Sequence, residues 1–350
     1  MKKLIVRALA ITLALFLLCG GAALGESKYV SIKDIRDTIP ERWTYEVTSV
    51  KGDTVKIDTP IVVPQVDTVP IVRITWGGPY EAIADSPDMQ VMENDLNGFF
   101  VYHPYPYWNG NSDQPLHDVS VGNVAYEDAP ETLLFQLRCA FPALRQNDFE
   151  CYYQAAYVTA DDSDGYYWLS YYPLYHGIAY LIGQCYWGDA KGESVGKLPS
   201  VPYNGVDAAL HTADEYTALI GAPKELGMDV EDVPLLPLND ILTVFERRAQ
   251  EGYIYSLSEL RFGYMAFIDP AKKGDEFVLM PVWAGRGVTR SYLSNPFFPQ
   301  STDESKASSG FHSIVNVVVN AQTGEAYEFF YDTTSDRRYV PKIITWDDVK

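Results

Sequence analysis

Two stretches govern the fold reading: Glu131-Thr-Leu-Leu-Phe-Gln-Leu-Arg-Cys-Ala-Phe141 and Leu238-Asn-Asp-Ile-Leu-Thr-Val-Phe-Glu-Arg-Arg-Ala249. In the first, apolar residues at 133, 134, 137, 141 and 144 recur at helical spacing. In the second, Leu238, Ile241, Leu242, Phe245 and Ala249 make a comparable stripe, closed by Gly252 at a C′ position. Each therefore predicts an amphipathic helix with one face to bury.

The segments downstream of the two helices are also similar. Cys151–Thr159 leads through Asp161-Asp-Ser-Asp-Gly165 into Tyr166–Tyr175, and Glu259–Ile268 leads through Asp269-Pro-Ala-Lys-Lys-Gly-Asp275 into Glu276–Trp283. The closing strands share a pattern at an offset of 108 residues, Tyr172-Pro-Leu-Tyr-His-Gly177 against Met280-Pro-Val-Trp-Ala-Gly285. A second hairpin closes each region, Val206–Leu210 with Tyr216–Ile220 and Val315–Val319 with Ala326–Phe330. The expectation is an α+β fold of two tandem repeats, each with one helix packed on an antiparallel sheet of about four strands. Pro173 and Pro281 cannot donate to a ladder, so each is expected at an edge or a bulge.

Upstream, Trp43–Val50 and Thr54–Ile57 flank Lys51-Gly52-Asp53 as a hairpin, and Val62-Val63 and Ile71–Ile74 read as short strands spaced by prolines. This N-terminal β-rich section is expected to pack on the first repeat. The organisation reads as a signal peptide over 1–25, the β-rich section over 26–128, repeat unit 1 over 129–222 and repeat unit 2 over 223–350. Asp229, Glu231 and Asp232 read as a charged connector between the two units.

The chain has 350 residues with 27 basic and 47 acidic side chains, a net charge of −20. That balance excludes nucleic acid as a partner, because no basic surface is available to displace phosphate counterions. Met1-Lys2-Lys3, an apolar run from Ala8 to Cys19 and the small residues Gly20–Gly25 have the order of a secretory signal. Ala23 and Gly25 then stand at the −3 and −1 positions of cleavage before Glu26. The expected location is secreted or extracytoplasmic, with tethering if the N-terminal segment is not cleaved. Cys139, Cys151 and Cys185 lack a catalytic signature and read as structural, with their pairing open.

The order of Ile61-Val-Val-Pro64, Val233-Pro-Leu-Leu-Pro-Leu-Asn-Asp-Ile241, Phe277-Val-Leu-Met-Pro-Val-Trp283 and Ile314-Val-Asn-Val-Val-Val-Asn-Ala-Gln-Thr-Gly324 resembles a domain-of-unknown-function family of exported proteins of low-GC Gram-positive bacteria. The last segment is also similar to the closing hairpin of PepSY-type domains and of the extracytoplasmic regulators of a cell-wall sensor kinase. The resemblance implies a helix-plus-sheet unit acting by protein contact. It brings no catalytic residues.

Motifs for chemistry are scarce. The five histidines, His103, His117, His176, His211 and His312, show no zinc-ligand spacing. There is no nucleophile elbow, phosphate loop or dinucleotide fingerprint, so no catalytic residue, metal site or cofactor is expected. Asp161–Gly165 has the wrong register for a calcium loop and reads as a solvated turn. The 26 tyrosines and 7 tryptophans fit half-buried strands, and Tyr166–Tyr175 could also form a stacking platform. Tyr102, Tyr105, Tyr107 and Trp108 are the better binding candidates, since they fall in a loop-rich stretch. The functional expectation is an exported non-catalytic module that senses or regulates through an envelope or membrane-protein partner. The alternative is glycan or peptide binding through the aromatic loop 102–108, and the third reading is a hydrolase with a dispersed carboxylate site.

Overall fold

The structure is a computed structural model and describes residues 29–75, 100–102, 120–141, 144–145, 147–158, 165–182, 205–221, 223–268, 276–288, 315–332 and 338–344. A short helix, α1 (Ile32–Thr38), opens it. Its Ser31 hydroxyl accepts from the Asp34 amide while Asp34 accepts from the Ser31 amide, a reciprocal cap at the N-terminus. The hairpin of β1 (Arg42–Thr48) and β2 (Thr54–Val62) comes next, turning at Lys51–Asp53, where Gly52 takes φ +90°. β3 (Ile71–Thr75) and β4 (Phe100–Tyr102) complete the N-terminal section.

The middle of the chain holds α2 (Ala129–Ala140), then β5 (Asp148–Val158), β6 (Gly165–Tyr175), β7 (Ile178–Ile182), β8 (Gly205–Thr212) and β9 (Glu215–Gly221). The remainder comprises β10 (Lys224–Val230), α3 (Leu238–Gln250), β11 (Glu259–Ile268), β12 (Glu276–Arg286), β13 (Val315–Asn320), β14 (Ala326–Asp332) and β15 (Arg338–Ile344). Both predicted helices and the strands of both predicted hairpin sets form close to their expected bounds. The buried faces of the helices are also the expected ones: Leu133, Leu134 and Leu137 in α2, and Ile241, Leu242, Phe245 and Ala249 in α3.

The predicted α+β architecture of two repeats, each a helix on about four strands, is overturned. Fifteen strands against three helices among the described residues make the protein mostly β. They join in one connected sheet whose main path runs β15-β14-β13-β12-β11-β7-β6-β8-β9-β4. The expected gap between units is closed by β7, a strand that the repeat pattern did not contain. It is antiparallel to β6 and parallel to β11, with Tyr264 opposite Tyr180. Backbone groups at a sheet edge need partners, and β7 supplies them to both sides.

The predicted equivalence of residues 172–177 and 280–285 fails for a local reason. His176 and Gly177, at φ 52° and 77°, form the tight turn from β6 into β7, whereas Ala284 and Gly285 continue inside β12 and pair with both β11 and β13. The two prolines do share a role, although neither lies on an outer edge. Pro173 stands where β6 changes partner from β8, which ends at Tyr171, to β7, which begins at Leu174. Pro281 stands where β12 changes from β3, ending at Leu279, to β13, beginning at Val282. Its carbonyl accepts from the Ala321 amide on that side. A missing N–H is tolerated at such a change because the ladder is already interrupted there.

The N-terminal section, expected on the first unit, is divided between the two: β4 pairs with β9, but the β1–β2 hairpin and β3 join the second unit. β2 pairs with β11, and β3 pairs with β12 and β10. Trp43, Val55, Ile57, Val72 and Ile74 share one core with Ile241, Phe245, Phe262 and Trp283. A separate core lies under α2, where Leu133, Leu137 and Phe141 meet Tyr167, Leu169, Tyr171, Val206 and Ile220. β10 takes in Asp229, while Glu231 and Asp232 follow it in the connector, and two of these three acids are engaged: Asp229 pairs with Arg73 at 2.6 Å, and Asp232 accepts from the Val69 amide.

Candidate functional site

Of the predicted binding residues, Tyr102 ends β4, where it lies opposite Ala218 of β9. Tyr105, Tyr107 and Trp108 lie outside the described residues, as do Cys185, the aspartates at 161–164 and the N-terminal segment 1–25. Among the described residues no helix is long and apolar enough to cross a membrane, and no group of three or more His, Cys, Asp or Glu could hold a metal ion. Cys139 and Cys151 are free thiols. Cys139 lies in the helix as expected, but where a small buried side chain was expected it is exposed, because it falls two residues beyond Leu137 and so opposite the apolar stripe. Cys151 is largely buried, and that burial pushes its thiol up to about 12.

The tyrosines of β6 divide between the two sheet faces. Tyr167, Leu169 and Tyr171 face α2, and Tyr166, Trp168 and Tyr172 face the other way. Buried tyrosines hold connecting segments by their hydroxyls. Tyr171 donates to the Pro130 carbonyl at 3.0 Å, Tyr264 to Pro70 at 2.7 Å, and Tyr175 to Pro223. Each hydroxyl buried in this way has its donor satisfied by a main-chain carbonyl. Burial pushes all three phenols well above their ordinary range.

On the face away from α2, where β5 and β6 meet β11 and β12, lies a charged cluster that the sequence reading did not anticipate. Arg261 donates through Nε and Nη2 to both oxygens of Glu259 at 3.1 and 3.2 Å, and through Nη1 to Glu150 of β5. Arg286 stands beside it with its guanidinium carbon 4.7 Å from the Tyr152 ring centre and 5.1 Å from that of Tyr172. Those two rings stack on each other at 3.8 Å. Arg286 reaches Glu259 only loosely, at 3.5 Å, because Arg261 already occupies that carboxylate. The two guanidinium groups differ accordingly. Burial lowers the pKa of Arg261, but Glu259 and Glu150 outweigh it and hold that group above its usual value. Burial dominates at Arg286 and brings it down to about 10. The only sequence trace of this cluster was Glu259 and Arg261 two apart on one strand, which share a face.

β10 is the other notable surface. It pairs with β3 and with no further strand among the described residues. Leu226, Met228 and Val230 are 47%, 49% and 44% exposed on it. The ladder with β3 is broken by irregularities between Glu225 and Gly227 and between Met228 and Val230. At its start Glu225 meets His176 Nε2 at 3.0 Å, which ties β10 to the β6–β7 turn.

No family model matches the chain, and no curated protein matches it either. Among solved structures it is similar to an uncharacterized protein from Eubacterium rectale ATCC 33656, at 15% identity and a TM-score of 0.47, with 83% of this chain and 94% of that chain covered. That likeness is too distant to bear on function.

Proposed function

We propose that this protein is an exported, non-catalytic module that works outside the cytoplasmic membrane by contact with an envelope or membrane-protein partner, in a sensing or regulatory role. The observation that carries the reading is the apolar group Leu226, Met228 and Val230, left half-exposed on an edge strand. Apolar side chains clustered on an acidic surface mark a contact site more readily than singly scattered ones. The two ladder irregularities twist and interrupt β10, which opposes simple strand addition. Contact through side chains fits that geometry better. The net charge of −20 opposes self-association and favours a partner with basic residues around an apolar segment. The resemblance to extracytoplasmic regulators supports the same reading, and the order of charge, apolar run and small residues in 1–25 supports export.

The test is cross-linking of the mature protein to its membrane fraction with and without Leu226→Ser, Met228→Ser and Val230→Ser together. Completing the burial of each side chain contributes about 1 kcal/mol, so the triple variant should lose the cross-linked product with its melting temperature kept. An undiminished product counts against the reading. Amino-terminal sequencing of the exported form should begin at Glu26.

A further inference from the structure

The charged cluster holds one group whose bonding is incomplete. Arg286 is 5% exposed, and its Nη2 is fully buried and makes no hydrogen bond. The Tyr172 hydroxyl in the same cluster is also buried and without a partner. A buried polar group left unpaired costs about 1–3 kcal/mol, more when charged, and such a group requires a physical reason. Self-pairing does not supply one here. Arg261 takes both oxygens of Glu259 and an oxygen of Glu150, and only a 3.5 Å approach to Glu259 is left for Arg286.

We infer that Arg286 and Tyr172 form a binding site for a small carboxylate. Arg286 Nη2 and the Tyr172 hydroxyl are each an unpartnered donor that a carboxylate oxygen can accept from, and the stacked Tyr152 and Tyr172 rings pack beside the guanidinium. The charge count selects a monoanion. Two arginines and two glutamates balance, so a monoanion adds one negative charge to this buried space, beside Arg286, and a dianionic phosphate would add two. Glu150 marks the entry side, since its side chain is 40% exposed while those of Arg261, Arg286 and Glu259 are 10%, 6% and 20% exposed. The site is independent of the β10 surface.

Acetate is the probe, titrated against the mature protein at constant ionic strength and followed by thermal unfolding. The melting temperature should rise along a saturating curve, by roughly 2–4 °C at ten times the dissociation constant. Arg286→Met should abolish the rise and Tyr172→Phe should reduce it. Equal rises in the wild type and Arg286→Met, or none in the wild type, overturn the site. A larger response to phosphate than to acetate overturns the carboxylate assignment. Should Arg286→Met not fold, arginine side-chain NMR of the wild type reads the same event. The Arg286 signal should then move saturably with acetate, and a stationary signal overturns the proposal.

Discussion

The half of the sheet around α2 and the half around α3 use similar local sequence and arrive at different surroundings. Each has an amphipathic helix followed by a long hairpin, and each long second strand carries a proline at the point where its neighbour changes. Among the described residues, the core under α2 is drawn from one stretch of chain, residues 121–220. Under α3 the core reaches back to Ile32 and Trp43 and takes in Tyr175 from the end of β6 and Ile178 and Tyr180 from β7. The lesson is that a helix-and-hairpin pattern specifies which face is buried, but not what buries it. That depends on which strand edges remain unpaired once the local hairpins have formed.

The sharpest way to break this contrast is to empty the two cores in turn. Phe245 is fully buried and meets Trp43 edge-on at 6.3 Å. Phe245→Ala should cost about 4 kcal/mol and also loosen the β1–β2 hairpin, seen as faster amide exchange at Trp43–Val47. Leu133→Ala should cost about 3 kcal/mol and leave exchange in that hairpin unchanged. If both variants loosen it equally, the two cores are one cooperative unit and the contrast dissolves.

A smaller effect is expected at the seam. Gly263 of β11 has no room for a side chain, since a Cβ there would lie 2.5 Å from Leu181 Cγ and 2.6 Å from the Ala179 carbonyl of β7. Gly263→Ala should therefore push β7 and β11 apart, cost about 2–3 kcal/mol and split urea unfolding into two steps. A single transition at the wild-type midpoint would show that the seam does not couple the halves.

The smallest effect concerns the tyrosine ties. Tyr171, Tyr175 and Tyr264 keep their protons in the folded protein at pH values where the unfolded chain, with phenols near 10, has lost them. Stability is thus complete below about pH 10 and falls as pH rises beyond it. Tyr264→Phe leaves the Pro70 carbonyl unpaired and should cost about 1–2 kcal/mol at neutral pH, while the alkaline loss becomes shallower by one proton. A pH titration of urea midpoints measures both.

The parts legible in sequence were those with a local period or a local turn. The stripe of α3, the Lys51–Asp53 turn and the hairpin of Val206–Leu210 with Tyr216–Ile220 all depend on neighbours a few residues away. The capping box Ser31–Asp34 was equally local and marked a helix in a section read as β-rich, so that signal was present but unused. Asp229 and Asp232 of the charged connector find partners at Arg73 and Val69, more than 150 positions earlier in the chain, which no local pattern shows. Arg286 shows the same limit. It lies just beyond the strand predicted over Glu276–Trp283, and nothing near it in sequence names Tyr152, Tyr172 or Glu150.

By itself the sequence determined the helices, most of the strands and which side chains turn inward, because periodicity and turn chemistry act over a few bonds. Tertiary structure alone decided that the sheet is continuous across the middle, that the N-terminal hairpin joins the second half, and that two arginines from neighbouring strands compete for Glu259. Pairing between edges and charges far apart in the chain is chosen by which groups are left over. That can be known only when every other group has been placed.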